Sequence, residues 1–400
     1  MPGPLSPSFN AIGIEGMETN AAHGMSIGKA ALPPATFTAR SGGTDERLRE
    51  LIRIHFHPEF GSAYWLRRQD RLGFQVADRV RCLQDLHWLG PTSLSDLRGN
   101  PVRDMIPRAF HGVLSRFILG ETAGTSGPPV ATAYREDEFQ EAFVEPFLRV
   151  VRATGFPTGL QWLWIGPSGP HIIGKAVREL ARQTDCMDSF SVDFDPRWAK
   201  KLADGSTARD RYLEHVITQA LDVLAREEIG VLFTTPPTLE ALASRLGNRQ
   251  RESIRGIHYG GMSLTAETVN HFRQVFPKAV HLAGYGNTLF GVLMEVSDEP
   301  REAMDYYPLS ERVLFTTIAD PGDSEGGPVW PPVPAGVGQP GRVMFHRLDE
   351  TCLLANVVER DLADEIPVSA EAVALGATLI GLRNPRVPAS LGKKLQLGLY

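Results

Sequence analysis

Cysteine is scarce in this chain: Cys82, Cys186 and Cys352 are all there is among 400 residues. Three scattered thiols with no CxxC pair and no histidine at zinc spacing exclude a disulfide framework and a structural zinc site, so each is expected as a reduced thiol in or near the core. No apolar run approaches the length of a membrane span, and the amino terminus lacks a basic stretch followed by an apolar one. A membrane partner is therefore not expected, and a cytoplasmic location is. Positive charge is in deficit as well, with a net charge of -6 and a pI near 6.0, which argues against a nucleic-acid-binding surface. The basic run Arg245, Arg249, Arg251 and Arg255 is interrupted by Glu252 and reads as a solvated helix and loop face. No internal repeat is visible, so the chain is not an array of small units.

What is present is enough apolar material, 42% of residues, for one large α/β body or two to three domains. Residues 1–44 are rich in Gly, Pro, Ala and Ser without helical or strand period and read as a mobile extension, dispensable for function. The pattern then predicts helices near 45–55, 69–79, 93–99 and 107–117. A helix over 136–153 follows, whose Phe139, Phe143, Val144, Phe147 and Val150 fall on one buried face. Strands near 160–165, 190–194 and 230–234 alternate with helices 171–184, 207–227 and 238–246, and strands near 254–259 and 279–283 flank helix 265–275. Strand–helix alternation implies parallel βαβ units, with ligands at the carboxyl ends of the strands. From 292 onward β-rich segments at 292–296, 312–319, 341–347 and 352–358 read as a small barrel or distorted sheet. The Gly/Pro segment 321–340 between them reads as a connector.

The segment Thr122-Ala123-Gly124-Thr125-Ser126-Gly127-Pro128-Pro129 combines small and hydroxyl side chains, which let a loop wrap a polyphosphate with its backbone N–H groups. It resembles the phosphate loop of adenylate-forming enzymes, commonly TSGTTGxPK. Gly284-Tyr285-Gly286-Asn287-Thr288 resembles that family's YGxTE signature and follows Tyr259-Gly260-Gly261-Met262-Ser263-Leu264 in the family's order and spacing. Gly341-Arg342-Val343 with Glu359-Arg360-Asp361-Leu362 resembles the strand and Thr-Gly-Asp element. Leu48–Arg53 and Leu83–Ser93 resemble the helical entry of the phenylacetate-CoA ligase branch. Within it the likeness is to short adenylating enzymes of aromatic natural-product and antibiotic pathways, such as those acting on phenazine carboxylates.

The resemblance covers roughly residues 45–365. It implies an α/β fold: a large adenylate-forming domain of two mixed sheets packed with helices, with a β-barrel-like subdomain over about 292–365. Residues 366–400 would be a rudimentary tail, the C-terminal lid domain being truncated or missing. The implied activity is ATP-dependent conversion of a carboxylic acid, aromatic in this branch, to an acyl-adenylate with release of pyrophosphate. The acyl group would pass to a thiol such as CoA or to a partner reductase or transferase. By the same resemblance Thr122, Gly124, Thr125, Ser126 and Gly127 surround the phosphates, and Thr288 lies beside the α-phosphate. Gly260, Gly261 and Tyr285 bracket adenine, with Gly286 and Asn287 in the same turn, while Asp361 grips the ribose. His171 would be aimed at the carboxylate or pyrophosphate or else be a structural histidine. Trp164, Phe233, His258, Tyr259 and Met262, by their adjacency to these motifs, are read as walls of the acyl pocket, ordinary core being the alternative.

Several positions depart from the family pattern. Leu289 stands where the family has a Glu for Mg²⁺, Val130 replaces the loop Lys, and Val358 replaces an Arg. Mg²⁺ is still expected with ATP, contacted through hydroxyls and water rather than by an assigned protein ligand. Only 39 residues follow Asp361, and Lys393 and Lys394 are the candidates to stand in for the lid lysine. A rival motif, Gly169 to Ala176, imitates a nucleotide-binding Gly-x4-Gly-Lys loop with Lys175, although Ala176 replaces the Mg²⁺-binding hydroxyl and Pro170 removes a donor. Two other functions stay open: a subunit that binds nucleotide or aryl acid without turnover, and acyl transfer to one of the protein's own cysteines. The oligomeric state is open too, a homodimer being one arrangement.

Overall fold

The computed structural model describes residues 43–124, 127–300, 302–319, 330–335 and 339–388. Of the extension expected over 1–44, residues 1–42 lie outside the described residues and Thr44 already starts the helix Thr44–His55. Thr125, Ser126, Lys393, Lys394 and most of the 321–340 connector also lie outside them.

Six strands form the central sheet: β3 (Gln161–Gly166), β4 (Phe190–Asp193), β5 (Ile229–Thr234), β6 (Gly256–Tyr259), β7 (Val280–Asn287) and β8 (Gly291–Met294), in the order β4-β3-β5-β6-β7-β8. All neighbours are parallel except β7 and β8. Every residue of β5 and β6 is buried, as a parallel sheet covered by helices on both faces requires. Strand alternation divides the interior in two. Leu163, Ile165, Leu232 and Ile257 face one core, while Trp162, Trp164, Val231 and Phe233 face the other.

Local chemistry sets the helix ends. Ser206 accepts from Arg209 N–H to cap helix Thr207–Arg226, and Thr265 does the same for Thr268 at helix Ala266–Val275. The helix expected over 69–79 is instead two, Ala63–Leu72 and Val76–Arg79, because Gly73 (φ 73°) ends the first in the left-handed region. The segment expected over 107–117 is a tighter 3₁₀ element, Arg108–Arg116. The helix expected over 136–153 is present to Thr154 but carries a π turn at Gln140–Val144. Pro146 explains it: the proline has no N–H to give the Ala142 carbonyl, so the ladder slips by one residue there.

The remaining strands make a hairpin and a second sheet. β1 (Phe117–Glu121) and β2 (Ala131–Arg135) pair antiparallel around the 122–130 loop. β9 (Asp305–Tyr306), β10 (Val313–Ile318), β11 (Gly341–Leu348), β12 (Leu353–Ile366) and β13 (Gly381–Arg386) form an antiparallel sheet in the order β10-β11-β12-β13-β9. Because β13 pairs with both β12 and β9, the β-rich region continues through Arg386, past the 365 boundary drawn from sequence. No described helix is long and apolar enough to cross a membrane.

A buried charge network joins these parts. Asp349 receives Arg312 through Nε at 3.0 Å and Nη2 at 2.5 Å, and Arg347 through Nε at 2.5 Å. All three side chains are at most 2% exposed. Arg347 also donates to Thr132 Oγ1 and the Ala133 carbonyl of β2 and lies 3.6 Å over the Tyr134 ring. Burial pushes the Asp349 carboxyl up, but the two guanidiniums outweigh it and hold it at about 2. Asp349→Ala would leave two buried guanidiniums uncompensated, so it should cost about 3–5 kcal/mol of unfolding free energy in urea. A loss below about 1 kcal/mol would show that the network is not what ties the hairpin to the sheet.

Candidate active site

A water-accessible cavity of about 70 Å³ opens at the carboxyl ends of β3, β5, β6 and β7, space for about five waters at about 15 Å³ each. Register creates its aromatic wall. Trp164 is opposite Phe233, and Phe233 opposite His258, in successive parallel pairs, so the three rings stand in a row, with centroids 4.6 and 4.2 Å apart. The His258 Nδ1–H donates to the Leu282 carbonyl at 3.1 Å, which leaves Nε2 as an acceptor. Burial lowers its pKa to about 4, so the ring is neutral at pH 7.

Of the residues singled out from sequence, Trp164, His171, Phe233, His258, Tyr259, Gly260, Gly261, Gly286, Asn287 and Thr288 all border this cavity. Tyr259 does so without its ring: the side chain is on the other face, its hydroxyl donating to His281 Nδ1 at 2.7 Å and its ring near Phe272. Met262 is not at this cavity. The left-handed Gly261 (φ 80°) turns the chain away, and Met262 borders a separate apolar cavity of about 80 Å³ with Phe194, Ile217 and Thr235. His171 immediately precedes helix Ile172–Gln183, buried, its pKa lowered by burial and by the charge of Arg197.

The loop after β1 approaches the mouth of the cavity. Its base is closed by Thr122: N–H to the Val130 carbonyl at 2.9 Å, and Oγ1 accepting from the Val130 N–H at 2.9 Å. The Thr122 hydroxyl is thus committed to the loop itself. Gly124 (φ 66°) and Gly127 (φ 138°) both need glycine conformations; a Cβ at 124 would lie 2.9 Å from the Gly127 carbonyl. Arg98 Nε donates to the Pro128 carbonyl at 2.6 Å. Thr288 joins this loop to the turn after β7, its Oγ1 donating to the Glu121 carbonyl at 3.3 Å, while the Thr288 carbonyl accepts from Tyr134 at 2.9 Å.

Behind the turn, β7 meets β12 of the second sheet. Tyr285 is turned away from the cavity, and its hydroxyl donates to Asp361 Oδ2 at 3.1 Å. Asn287 Nδ2 donates to Glu359 Oε1 at 2.6 Å, while its Oδ1 accepts from the Leu289 and Phe290 N–H groups. Asp361 is 2% exposed, and its Oδ1 has no hydrogen-bond partner. Burial raises both carboxyls, Glu359 to about 7 with help from the Asp361 charge.

Sequence reasoning missed Phe143, Ile172, Ile173, Gly284, Gly291 and Val292 as cavity residues, and Glu359 as the partner of Asn287. Phe143, which looked only like part of a core stripe, lies in the π turn and borders the cavity. Gly291 is needed because a Cβ there would come 2.6 Å from the Ala142 carbonyl. The rival loop is not a phosphate cradle: Lys175 donates to the Leu119 carbonyl at 2.6 Å and borders an exposed groove with Arg178 and Glu179, away from the cavity.

The cavity, the glycine loop and the buried carboxylate stand on a fold shared with solved acyl-CoA ligases. The chain superposes on 2-hydroxyisobutyryl-CoA ligase with 2-HIB-AMP and CoA in the thioesterification state at a TM-score of 0.59 and 14% identity, covering 86% of this chain and 66% of that one. It also superposes on an open conformation of that ligase with 2-HIB-AMP and CoA (TM-score 0.57, 14% identity, 86% and 72% covered) and on its postadenylation state with R3-HIB-AMP (0.58, 13%, 86% and 66%). The chain thus spans slightly less than two thirds of the first of these ligases. No known family profile and no curated protein matches the sequence. At such identities the likeness is one of fold.

The buried neutral imidazole gives a pH test. His258 takes up its proton near 6.5 when unfolded but at about 4 when folded, so between these values the unfolded chain binds more protons and stability falls as pH drops. His258→Gln should remove about 1.4 kcal/mol per pH unit from that slope, read from urea unfolding between pH 6.5 and 4. An unchanged slope would mean that the imidazole is not held neutral.

Proposed function

We propose that this protein activates a carboxylic acid with ATP, forming an acyl-adenylate and releasing pyrophosphate. The observation that carries the reading is the meeting of three distant segments. The turn at Thr288 borders the aromatic cavity at the carboxyl ends of parallel strands, the base of loop 122–130 is bonded to it through Glu121, and β12 with Asp361 is bonded to the same strand from behind through Tyr285. The fit of ATP rests on Asp361, whose buried Oδ1 lacks a donor that the ribose hydroxyls would supply. Mg²⁺ would enter with the nucleotide, carried on its phosphates.

In this reading the acid lies in the cavity along Trp164, Phe233 and His258, carboxylate toward Thr288. A carboxylate oxygen attacks the α-phosphorus, a C–O–P bond forms, and the bond to the departing pyrophosphate breaks with its electron pair. The protein supplies no nucleophile; it contributes position and dipoles. Loop N–H groups stabilise the developing charge, and neutral His171 offers polarity without a competing proton. A row of rings around about 70 Å³ suits a small flat acyl group, so we assign a single-ring aryl acid. Leu48–Arg53 and Leu83–Ser93 support the phenylacetate-CoA ligase-like branch and a biosynthetic role, with CoA or a partner enzyme as acceptor. The cysteines are poor acceptors: burial raises the Cys186 and Cys352 thiols and a hydrogen bond to Asp85 raises Cys82, keeping them protonated.

One observation favours a second reading, a binding subunit without turnover: Leu289, where the family has its metal-binding Glu, is buried in the core. ATP–pyrophosphate exchange with a panel of acids separates the two. Exchange is expected with single-ring aryl acids and not with long-chain acids. Asp361→Ala should raise the KM for ATP about tenfold or more, as expected for losing a charge-assisted bond. No exchange with any acid, despite measurable ATP binding, would leave only the second reading.

A further inference from the structure

One cationic group on the nucleotide side of the cavity has no counterpart. The short helix Pro196–Ala199 follows β4 at the carboxyl edge of the sheet, held by Asp195, which accepts from the Arg197 and Trp198 N–H groups at 2.8 and 3.2 Å. Lys200 ends it. Its Nζ is shielded from solvent and makes no hydrogen bond, although an ammonium carries three donors. Arg197 beside it donates from Nη2 to Glu121 Oε2 and to the Thr122 carbonyl, both at 2.9 Å, and its Nε is likewise buried without a partner. Arg360 of β12 approaches from the second sheet, next to Asp361.

Burial brings Lys200 down to about 8, and Arg360 and Arg197 add to the effect; no carboxylate acts on it. Enclosed charges in folded proteins are paired or ligated, since an unpaired one costs more than the fold recovers. Here three cations converge: Arg197 is paired with Glu121, Arg360 lies 3.8 Å from Asp361 Oδ1, and Asp195 serves backbone N–H groups, so it is Lys200 that is left without a carboxylate. The missing charge is therefore an anion from outside. Its place follows from Arg197, which grips the first residue of loop 122–130, and from Arg360, which adjoins Asp361. The loop itself contributes no lysine, because Val130 is in that position and is buried.

We propose that Lys200, with Arg197 and Arg360, forms a polyphosphate site that holds the β- and γ-phosphates of ATP and then the departing pyrophosphate. The inference rests on the adenylation reading for its place in the reaction, but anion binding at Lys200 is testable apart from it. Lys200 would donate to phosphate oxygens from the end of β4, so the charge that the family keeps on its loop lysine comes from a different strand end.

The test uses the full chain. Calorimetry measures the affinities of inorganic pyrophosphate, MgATP and AMP for the parent, Lys200→Gln, Lys200→Met and the control Lys201→Gln, whose side chain is exposed. Pyrophosphate and MgATP binding should weaken about tenfold or more in both Lys200 variants, as for loss of a charge-assisted bond. AMP, which lacks these phosphates, should bind within twofold of the parent, and Lys201→Gln should change nothing. Loss of pyrophosphate with retained MgATP affinity would confine the site to the free product; the reverse would confine it to the nucleotide; either supports it. Thermal unfolding adds a readout that a structural lysine would move the other way: with no ligand, Lys200→Met should melt higher, because an uncompensated cation is gone. Parent-like pyrophosphate and MgATP affinities in both variants, or a parent that binds neither, would overturn the site. A parent that binds pyrophosphate through Lys200 yet exchanges it with no acid would keep the site and sink the adenylation reading instead.

Discussion

Asp349, clasped between Arg312 and Arg347, is the constraint on which the arrangement depends. Each charge alone would be costly to bury, and only the set of three with its added hydrogen bonds is tolerable. Those bonds reach further than the triad: Arg347 ends on Thr132 and Ala133 of the hairpin, and Arg312 Nη1 donates to the Phe290 carbonyl at 2.5 Å. The hairpin that carries the glycine loop and the turn that carries Thr288 are therefore fixed to the same two guanidiniums. Tyr134, under Arg347, completes the link by donating to Thr288.

With that frame in place, the site becomes a consequence of register. Parallel pairing sets Trp164, Phe233 and His258 in one row, and a slip by one residue would turn all three to the other core. Glycines make the approach possible where backbone meets backbone. Gly286 faces the Gly291 carbonyl at a distance no Cβ would allow, and Gly291 faces Ala142 in the same way. Buried polar groups then lie at the seam between the two sheets, where β7 donates to β12 through the Tyr285–Asp361 and Asn287–Glu359 bonds.

Much of this was legible in the residues. Elements from β3 to β7 and the helices between them fell where apolar periodicity placed them, because buried parallel strands are short unbroken apolar runs and their covering helices show a 3.6-residue stripe. Gly124, Gly127, Gly260, Gly261 and Gly286 stood out through the motifs they belong to; Gly124, Gly127 and Gly261 take the left-handed or other positive-φ conformations, and Gly286 meets the Gly291 carbonyl where a Cβ would not fit. Errors came where the next residue mattered more than the pattern. Gly73 split a helix, Pro146 inserted a π turn, Gly261 carried Met262 to another cavity, and alternation sent the Tyr259 ring to the opposite face. β13 was overlooked because its short Gly381–Arg386 run gains its strand character from pairing with β12 and β9 rather than from its own pattern.

The amino-acid order alone decided which segments are strands and helices and where the chain turns through glycine. These are properties of neighbours along the chain, governed by sterics and burial over a few residues. Which distant groups meet was decided by tertiary structure. Lys200 and Arg360 share one site, Arg312 and Arg347 share Asp349, and Asp361 keeps an oxygen without a donor, because two sheets of fixed strand order and register pack together. Charges enclosed at that seam become favourable or costly only once every neighbour is in place.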